Sequence, residues 1–286
     1  MSDNTSDRYA VVVLSRTRYA LPVSVILDLN RFTGVPKASI PGSPGRVECV
    51  VNHRGRVVPV LDLRALCGLP SHAAEIEALE TLLRDREQDH VNWLNALAEA
   101  VETGGEFTLA RDPHLCKLGK WYDELMARDE KRHELTDQNL ALEAILHEYD
   151  QPHARIHALA DHVLDLCKAG DQARALAAIN MAWDGDLAVM RRLFGRTLEL
   201  FREIRQSQLV VMDVDGVVAG LMVDAILAVA EFTPEMMHPL PIGTKTKAPV
   251  IGLADPKDGG GIVSLLDPAA VLSAVGSPAE LTASPA

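Results

Sequence analysis

Residues 50–70 read VVNHRGRVVPVLDLRALCGLP, in which two apolar runs flank the short polar segment Asn-His-Arg-Gly. Short runs rich in Val and Leu that are separated by a glycine-containing turn are typical of a β-hairpin. Gly55 can supply the positive φ angle that a tight hairpin turn requires. The stretch therefore predicts two antiparallel strands joined by a turn at residues 52–55.

The same β character extends from this hairpin toward the N-terminus and returns near the C-terminus. Residues 9–67 contain short Val-, Ile- and Leu-rich runs between Pro/Gly clusters, which predict four or five strands. From Gln208 onward, the pair Asp215-Gly216 between two apolar runs predicts a second hairpin. Residues 248–267 predict a third hairpin, closed by glycines, and the small polar tail at 276–286 is expected to be disordered.

Between these β-rich flanks the apolar residues follow a helical period. We expect a long helix that starts near Ser71 and ends at the Thr-Gly-Gly-Glu of residues 103–106. Further helices are predicted at 114–127, 134–149 and 152–168, and a fifth begins after Asp171, bends near 184–186 and ends near 206.

The predicted fold class is therefore α+β, with a helix bundle inserted into one β domain. The expected domains are a first β half at residues 1–72, the bundle at 73–203, a second β half at 204–275 and the tail at 276–286. Such an insertion requires the two ends of the bundle to lie close together.

Charge and composition restrict the classes of partner. The formal net charge of −12 argues against sequence-independent binding to nucleic acid, which needs a basic surface. The longest apolar run, Val217 to Ala230, contains Asp224 and is too short for a membrane helix, so we expect no membrane insertion and a cytoplasmic location. The four cysteines lack paired spacing and are predicted to be reduced thiols.

Histidine spacing points to a metal site within the bundle. His153 and His157 are four residues apart on one predicted helix, so both imidazoles share a face. His90 and Cys116 are candidates for a third and a fourth ligand from facing helices, and the set would suit Zn²⁺. Spacing alone leaves open that these histidines are surface residues, that Cys116 is a buried thiol, or that His114 ligates instead.

Sequence around Cys116 changes this balance. The stretch DPHLCKLGKWYDE at 112–124, together with a histidine on the preceding helix and PHARIHALA at 152–160, resembles the chemoreceptor zinc-binding (CZB) domain over residues 76–200. The resemblance implies zinc coordination by His90, Cys116, His153 and His157. Leu118 and Trp121 are expected to point into the bundle and Gly119 to allow a close backbone approach. Lys120 is expected to be a solvated charge, and the alternative is a nearby cation that favours the thiolate.

The flanks resemble the CheW-type coupling domain of chemotaxis. The resemblance covers residues 8–70, which include the Asn-x-Arg-Gly turn, and residues 207–274. It implies two SH3-like β-barrels, interrupted here by an antiparallel helix bundle. It also implies two partners, a chemoreceptor cytoplasmic tip and a CheA-type histidine kinase, with Arg54 contacting the receptor. Departures at Glu48, Cys49 and His53 put standard packing at a partner surface in doubt.

No enzyme motif supports catalysis: the sequence has neither His-Glu-x-x-His nor Gly-x-Ser-x-Gly. We therefore expect a non-catalytic coupling scaffold. Its zinc thiolate at Cys116 would sense an oxidant such as hypochlorous acid, or zinc itself. The alternative is a docking protein with purely structural zinc, and a zinc hydrolase would require that one of the four ligands not coordinate. Isolated CZB domains suggest a homodimer through the helices, and the alternative is that an insertion tied at both ends prevents it.

Overall fold

A computed structural model describes residues 7–32, 35–38, 47–244, 248–257 and 259–273. The expected tail at 276–286 lies outside these residues. Contacts divide the chain into a β unit, formed by residues 1–72 and 206–286, and a helical unit formed by residues 73–205.

Twelve strands lie in the described part of the β unit. They are β1 (Asp7–Leu14), β2 (Thr17–Pro22), β3 (Ile26–Arg31), β4 (Lys37–Ala38), β5 (Val47–His53), β6 (Arg56–Asp62), β7 (Gln208–Val214), β8 (Val217–Val223), β9 (Ala225–Phe232), β10 (Met237–Pro239), β11 (Val250–Ala254) and β12 (Val263–Leu266). They form two six-stranded sheets, in the orders β10-β11-β12-β2-β1-β9 and β3-β7-β8-β6-β5-β4.

Each sheet contains strands from both flanks of the sequence. In the first, β1 pairs with β9 and β2 lies parallel to β12. In the second, β3 pairs with β7 and β6 lies parallel to β8. Neither flank can complete a sheet alone, so the two halves fold as one β unit. The predicted fold class, α+β with a helix bundle inserted into one β domain, is confirmed.

The two tight hairpins form at the predicted turns. Both residues of Arg54-Gly55 have positive φ, 52° and 82°, and Asp215-Gly216 has 53° and 85°. Such turns match the twist of the strands they join. In each, a side chain two residues before the turn accepts a hydrogen bond of 2.9 Å from the glycine N–H, Asn52 in the first and Asp213 in the second.

The helices between and beside the strands number nine in the described residues. They are α1 (Leu63–Leu66), α2 (His72–Thr103), α3 (Lys117–Ala127), α4 (Asp129–Thr136), α5 (Leu140–His147), α6 (Asp150–Lys168), α7 (Gln172–Ala182), α8 (Ala188–Ile204) and α9 (Pro268–Ser273). The long helix α2 lies where the helical period of the apolar residues predicts it. A π-helical turn at Trp183–Leu187 separates α7 from α8, where the bend was expected.

The continuous helix predicted for residues 134–149 is wrong. The structure ends α4 at Thr136, and the next two residues, Asp137 and Gln138, adopt left-handed φ angles of 49° and 59°. The side chain of Asn139 then caps α5 by accepting the N–H of Leu142 at 3.0 Å. Asp tolerates a left-handed backbone and Asn favours the helix N-cap, so the helix is interrupted here. The apolar period continues across the interruption, which is why the sequence predicts one helix.

Ion pairs show that α2 and α8 run antiparallel. The pairs are Glu75–Arg205 at 2.9 Å, Glu80–Arg202 at 2.8 Å and Glu87–Arg191 at 2.7 Å. Residue numbers rise along α2 while they fall along α8, which requires opposite directions. Beneath these pairs lies an apolar core that includes Leu83, Leu94 and Phe201.

A half-buried carboxylate, Asp224, joins several parts of the β unit beside α1. Asp224 accepts a hydrogen bond of 2.6 Å from Arg64, which is 3% exposed, and one of 2.8 Å from the Ser15 amide, and the His72 ring nitrogen lies 3.0 Å away. Burial acts to raise the pKa of Asp224, but the hydrogen bonds from these three residues outweigh it and lower the pKa. The ionised carboxylate is thus favoured in the folded state.

We expect Asp224→Asn to lower the free energy of unfolding of the β unit by about 2 kcal/mol at neutral pH, because it removes hydrogen bonds to a charged group. Since the folded pKa is depressed, this stability is present above about pH 4 and is lost as pH falls through the folded pKa. Urea-dependent hydrogen exchange of β8 amides would measure both effects. Asp215→Asn in the exposed turn is the control, and equal losses in both variants would contradict the assignment.

Candidate metal centre

Four side chains from three helices converge inside the helical unit. His90 comes from α2, Cys116 precedes α3, and His153 and His157 come from α6. One ligand atom from each lies within 4.8 Å of all the others. The three histidines are buried and the cysteine is half-buried. The structure therefore brings together all four residues predicted as ligands.

Local structure explains how Cys116 is placed. A 3₁₀ turn at Pro113–Leu115 leads into it, and its backbone is extended at the N-cap of α3. The Gly119 amide donates to Sγ at 3.2 Å, so the sulfur occupies the usual place of a capping oxygen. A helix N-terminus favours negative charge, which suits a thiolate ligand.

The hydrogen bonds of the imidazoles leave particular nitrogen atoms available. His90 Nδ1 is 2.7 Å from the Arg86 carbonyl and His157 Nδ1 is 3.1 Å from the Ala110 carbonyl, so both must donate. Their Nε2 atoms are buried and have no hydrogen-bond partner among the described residues. His153 Nε2 lies 3.2 Å from Cys116 Sγ. Buried nitrogen lone pairs without donors are costly unless a cation binds them.

The electrostatic environment keeps the imidazoles neutral. Burial, reinforced by the neighbouring His90, lowers the pKa of His153 to about 3, and burial lowers that of His157 to about 4. Burial also lowers the pKa of His90. Neutral imidazole is the form that binds metal. Imidazole nitrogen and thiolate sulfur are both donor types that zinc takes in four-coordinate protein sites, so the four side chains fit this metal.

The thiol of Cys116 behaves differently. Burial raises its pKa, although the amides of Gly119 and Leu118 act in the opposite direction. The isolated side chain would therefore be protonated at neutral pH. A coordinating divalent cation deprotonates such a thiol outright, so a metal bound at this centre would displace the thiol proton.

The other residues of the motif have distinct environments. A Cβ built on Gly119 would lie 1.9 Å from the Pro113 carbonyl oxygen, so the backbones approach too closely for any side chain. Leu118 is buried and Trp121 packs partly buried against the core, as expected for both. Lys120 is exposed, in agreement with a solvated charge.

The rival histidine does not join the cluster. His114 is exposed and its Nδ1 lies 2.9 Å from the Asp123 carboxylate, which raises its pKa. His162, five residues beyond His157 on α6, is also exposed. Sequence reasoning missed Trp93, which contacts the His157 ring and the Ala110 carbonyl. Its position three residues after His90, on the same helix face, was the available clue.

In the β unit, the predicted receptor-contacting arginine lies at the tip of the β5–β6 hairpin. The Arg54 side chain is 74% exposed and lies 3.7 Å from the Asp28 carboxylate, a weak surface ion pair. Cys49, one of the departures from the family pattern, is buried among core residues such as Val51 and Val60. Its side chain therefore points away from the surface.

Family models match both parts of the chain. The CheW-like domain matches residues 8–89 and 187–276, which is more than half of the chain. The chain belongs to the CheW-like family. Between the two matched segments, residues 90–164 match the chemoreceptor zinc-binding domain, and this range includes all four clustered residues. The CheW-like match extends past the β unit into α2 and α8.

Solved structures and curated sequences complete the comparison. Thirteen chains of known structure match, among them the scaffolding protein TtCheW from Thermoanaerobacter tengcongensis. That chain is 13% identical, the alignment covers 92% of this chain and 90% of that one, and the TM-score is 0.40. No curated protein sequence matches. In the described part of the chain, none of the helices combines the length and apolar character needed to span a bilayer.

Proposed function

We propose that this protein is a chemotaxis scaffold that couples a chemoreceptor tip to a CheA-type histidine kinase in the cytoplasm and carries a zinc centre in its helical unit. The observation that supports it most strongly is the CheW-like match on both sides of the insertion. CheW-like domains act in general by binding receptors and CheA, without catalysis. We propose that the protein is not an enzyme, does not bind nucleic acid and does not insert into a membrane.

The zinc ligands are proposed to be His90, Cys116, His153 and His157. Their support is the mutual distance of at most 4.8 Å, the unpartnered Nε2 atoms and the match to a zinc-binding family. A bound zinc ion would keep Cys116 as a thiolate, the nucleophilic form of the side chain. With four protein ligands the centre lacks the open position that a zinc hydrolase needs for water.

Receptor binding is proposed to involve Arg54. Its guanidinium projects from a tight hairpin turn, and a hydrogen bond of 2.9 Å from the Gly55 N–H to the Asn52 side chain closes that turn. A planar guanidinium suits carboxylates and helix C-termini, which a helical receptor tip offers. The ion pair with Asp28 is too exposed and too long to compete strongly with such a partner.

Oxidant sensing is proposed to begin at Cys116. Hypochlorous acid oxidises the thiolate by two electrons, and the net change is thiolate plus HOCl to sulfenic acid plus chloride. The oxidised sulfur is a poorer donor, so only His90, His153 and His157 remain as strong ligands. Loosening of α3 from α6 would change the helical unit. Because both ends of that unit continue in the chain into the β unit, the change is proposed to alter partner binding by the β unit.

A titration with hypochlorous acid tests this function. We expect zinc to be released as Cys116 is oxidised, and the affinity for a receptor tip fragment or for the kinase regulatory domain to change at least severalfold in the same range. Zinc release is measured with a chromogenic chelator and binding by calorimetry on the full chain. Arg54→Glu should weaken receptor binding without altering zinc content, which separates the two sites.

A purely structural zinc is the second candidate, favoured by the burial of all three imidazoles. A structural zinc predicts unchanged partner binding after complete zinc release. That result would exclude control of partner binding by oxidation of Cys116. Binding of neither receptor nor kinase before oxidation would contradict the scaffold itself. Sedimentation of the full chain would test the proposed homodimer through the helical unit.

A further inference from the structure

Most of the segment between α2 and Cys116 has no regular secondary structure, yet the segment borders the metal centre. Residues 104–112 follow the end of α2 and lead into the 3₁₀ turn before Cys116. Such a segment must be positioned by side chains, because no helix or strand pairing does so. The carbonyl of Ala110 is the point at which it contacts the centre.

Two ring N–H groups converge on this one carbonyl. Trp93 donates its indole N–H to the Ala110 oxygen at 2.8 Å, and His157 donates from Nδ1 to the same oxygen at 3.1 Å. A carbonyl oxygen has two lone pairs, so both are used. The Ala110 oxygen therefore links α2 to a predicted zinc ligand on α6.

Trp93 is well placed to fix the position of the carbonyl. Its side chain is 5% exposed, its ring meets Phe107 edge-on with centroids 5.1 Å apart, and it lies 5.1 Å from the His157 ring. A buried indole N–H requires an acceptor, and this geometry supplies one at a normal distance. Phe107 belongs to the same irregular segment, so Trp93 contacts that segment at two points.

The orientation of His157 depends on that carbonyl. With Nδ1 protonated and donating, Nε2 carries the lone pair and points into the cluster, where it has no hydrogen-bond partner among the described residues. In the other tautomer Nε2 would carry a proton toward the ligand position and Nδ1 would face the carbonyl without one. The second partner of a metal-binding imidazole commonly sets its tautomer and its affinity.

We propose that Trp93 is a positioning residue of the zinc centre, which fixes the Ala110 carbonyl and thereby keeps His157 in the tautomer that presents Nε2 to the metal. This inference rests on the proposed zinc ligation. It adds Trp93, which is not itself a ligand, to the residues that determine zinc binding.

Trp93→Phe tests the inference, because it removes the indole N–H and retains an aromatic ring. In the full chain, the apparent Kd for Zn²⁺, measured by chelator competition, is expected to rise about tenfold. Trp183→Phe, the same change at the π-helical turn, is the matched control and should leave the Kd unchanged. In metal-free protein, long-range ¹⁵N–¹H correlations should show His157 protonated at Nδ1 in wild type and as a mixture of tautomers in Trp93→Phe.

Phe107→Leu distinguishes the packing of the Trp93 ring from the hydrogen bond of its N–H. The variant changes a contact of the indole ring but leaves the N–H in place. This variant is expected to retain the wild-type tautomer. Equal zinc affinity in Trp93→Phe and wild type would overturn the inference alone, as would weaker affinity with an unchanged His157 tautomer. Wild-type protein that takes up no zinc would overturn the proposed function as well.

Discussion

Replacing Cys116 with alanine is expected to reduce the zinc content of the purified full chain from about one ion per chain to near none. The sulfur lies 3.2 Å from His153 Nε2 and completes a four-donor set whose atoms all lie within 4.8 Å. Zinc bound by four protein ligands contributes on the order of 10 kcal/mol, and the loss of the thiolate removes the one anionic donor.

The matched control is Cys167→Ala, which removes a half-buried free thiol from the last turn of α6 in the same helical unit. Its zinc content is expected to equal that of wild type. Metal analysis by plasma mass spectrometry on protein dialysed without chelator measures both variants. Equal zinc in Cys116→Ala and Cys167→Ala would remove Cys116 from the site.

Gly119→Ala is expected to lower the free energy of unfolding of the helical unit by about 3 kcal/mol, the upper range for overpacking. The added Cβ would lie 1.9 Å from the Pro113 carbonyl oxygen and 2.9 Å from His114 Cα, so rigid backbone would have to move. Because the Gly119 amide also donates to Cys116 Sγ, the movement displaces the sulfur. Weaker zinc binding should therefore accompany the loss of stability.

Gly195→Ala in α8 is the control, because a Cβ at Gly195 meets no atom within 4 Å. Alanine is the better helix former, so this variant should gain about 0.5–1 kcal/mol. All three tryptophans, Trp93, Trp121 and Trp183, lie in the helical unit, so their fluorescence during urea unfolding reports on that unit. A Gly119→Ala variant as stable as Gly195→Ala would contradict the close approach.

Local features of the fold followed from sequence because their causes are local. Gly55 and the pair Asp215-Gly216 permit the positive φ angles of the two tight turns. The i, i+4 spacing of His153 and His157 places both rings on one helix face. The failure at 134–149 is also local in origin. The left-handed Asp137 and Gln138 interrupt an apolar period that by itself favours one helix.

Contacts between distant parts of the chain required the tertiary structure. The pairings of β6 with β8 and of β2 with β12 join residues separated by more than the whole helical unit. Asp224 was visible in sequence only as a charge inside an apolar run, and its partners Arg64 and Ser15 lie in the other flank. No periodicity encodes which distant residue satisfies a buried carboxylate.

The metal centre shows the same division. Sequence alone determined the residue types, the shared face of His153 and His157, and the family resemblance that named His90 and Cys116 as their companions. The meeting of the four ligand atoms, and the Ala110 carbonyl that Trp93 and His157 share, became visible in the folded protein alone. The reason is physical: helix spacing fixes directions within one element, whereas distances between elements depend on packing and on where each buried polar group finds its partner.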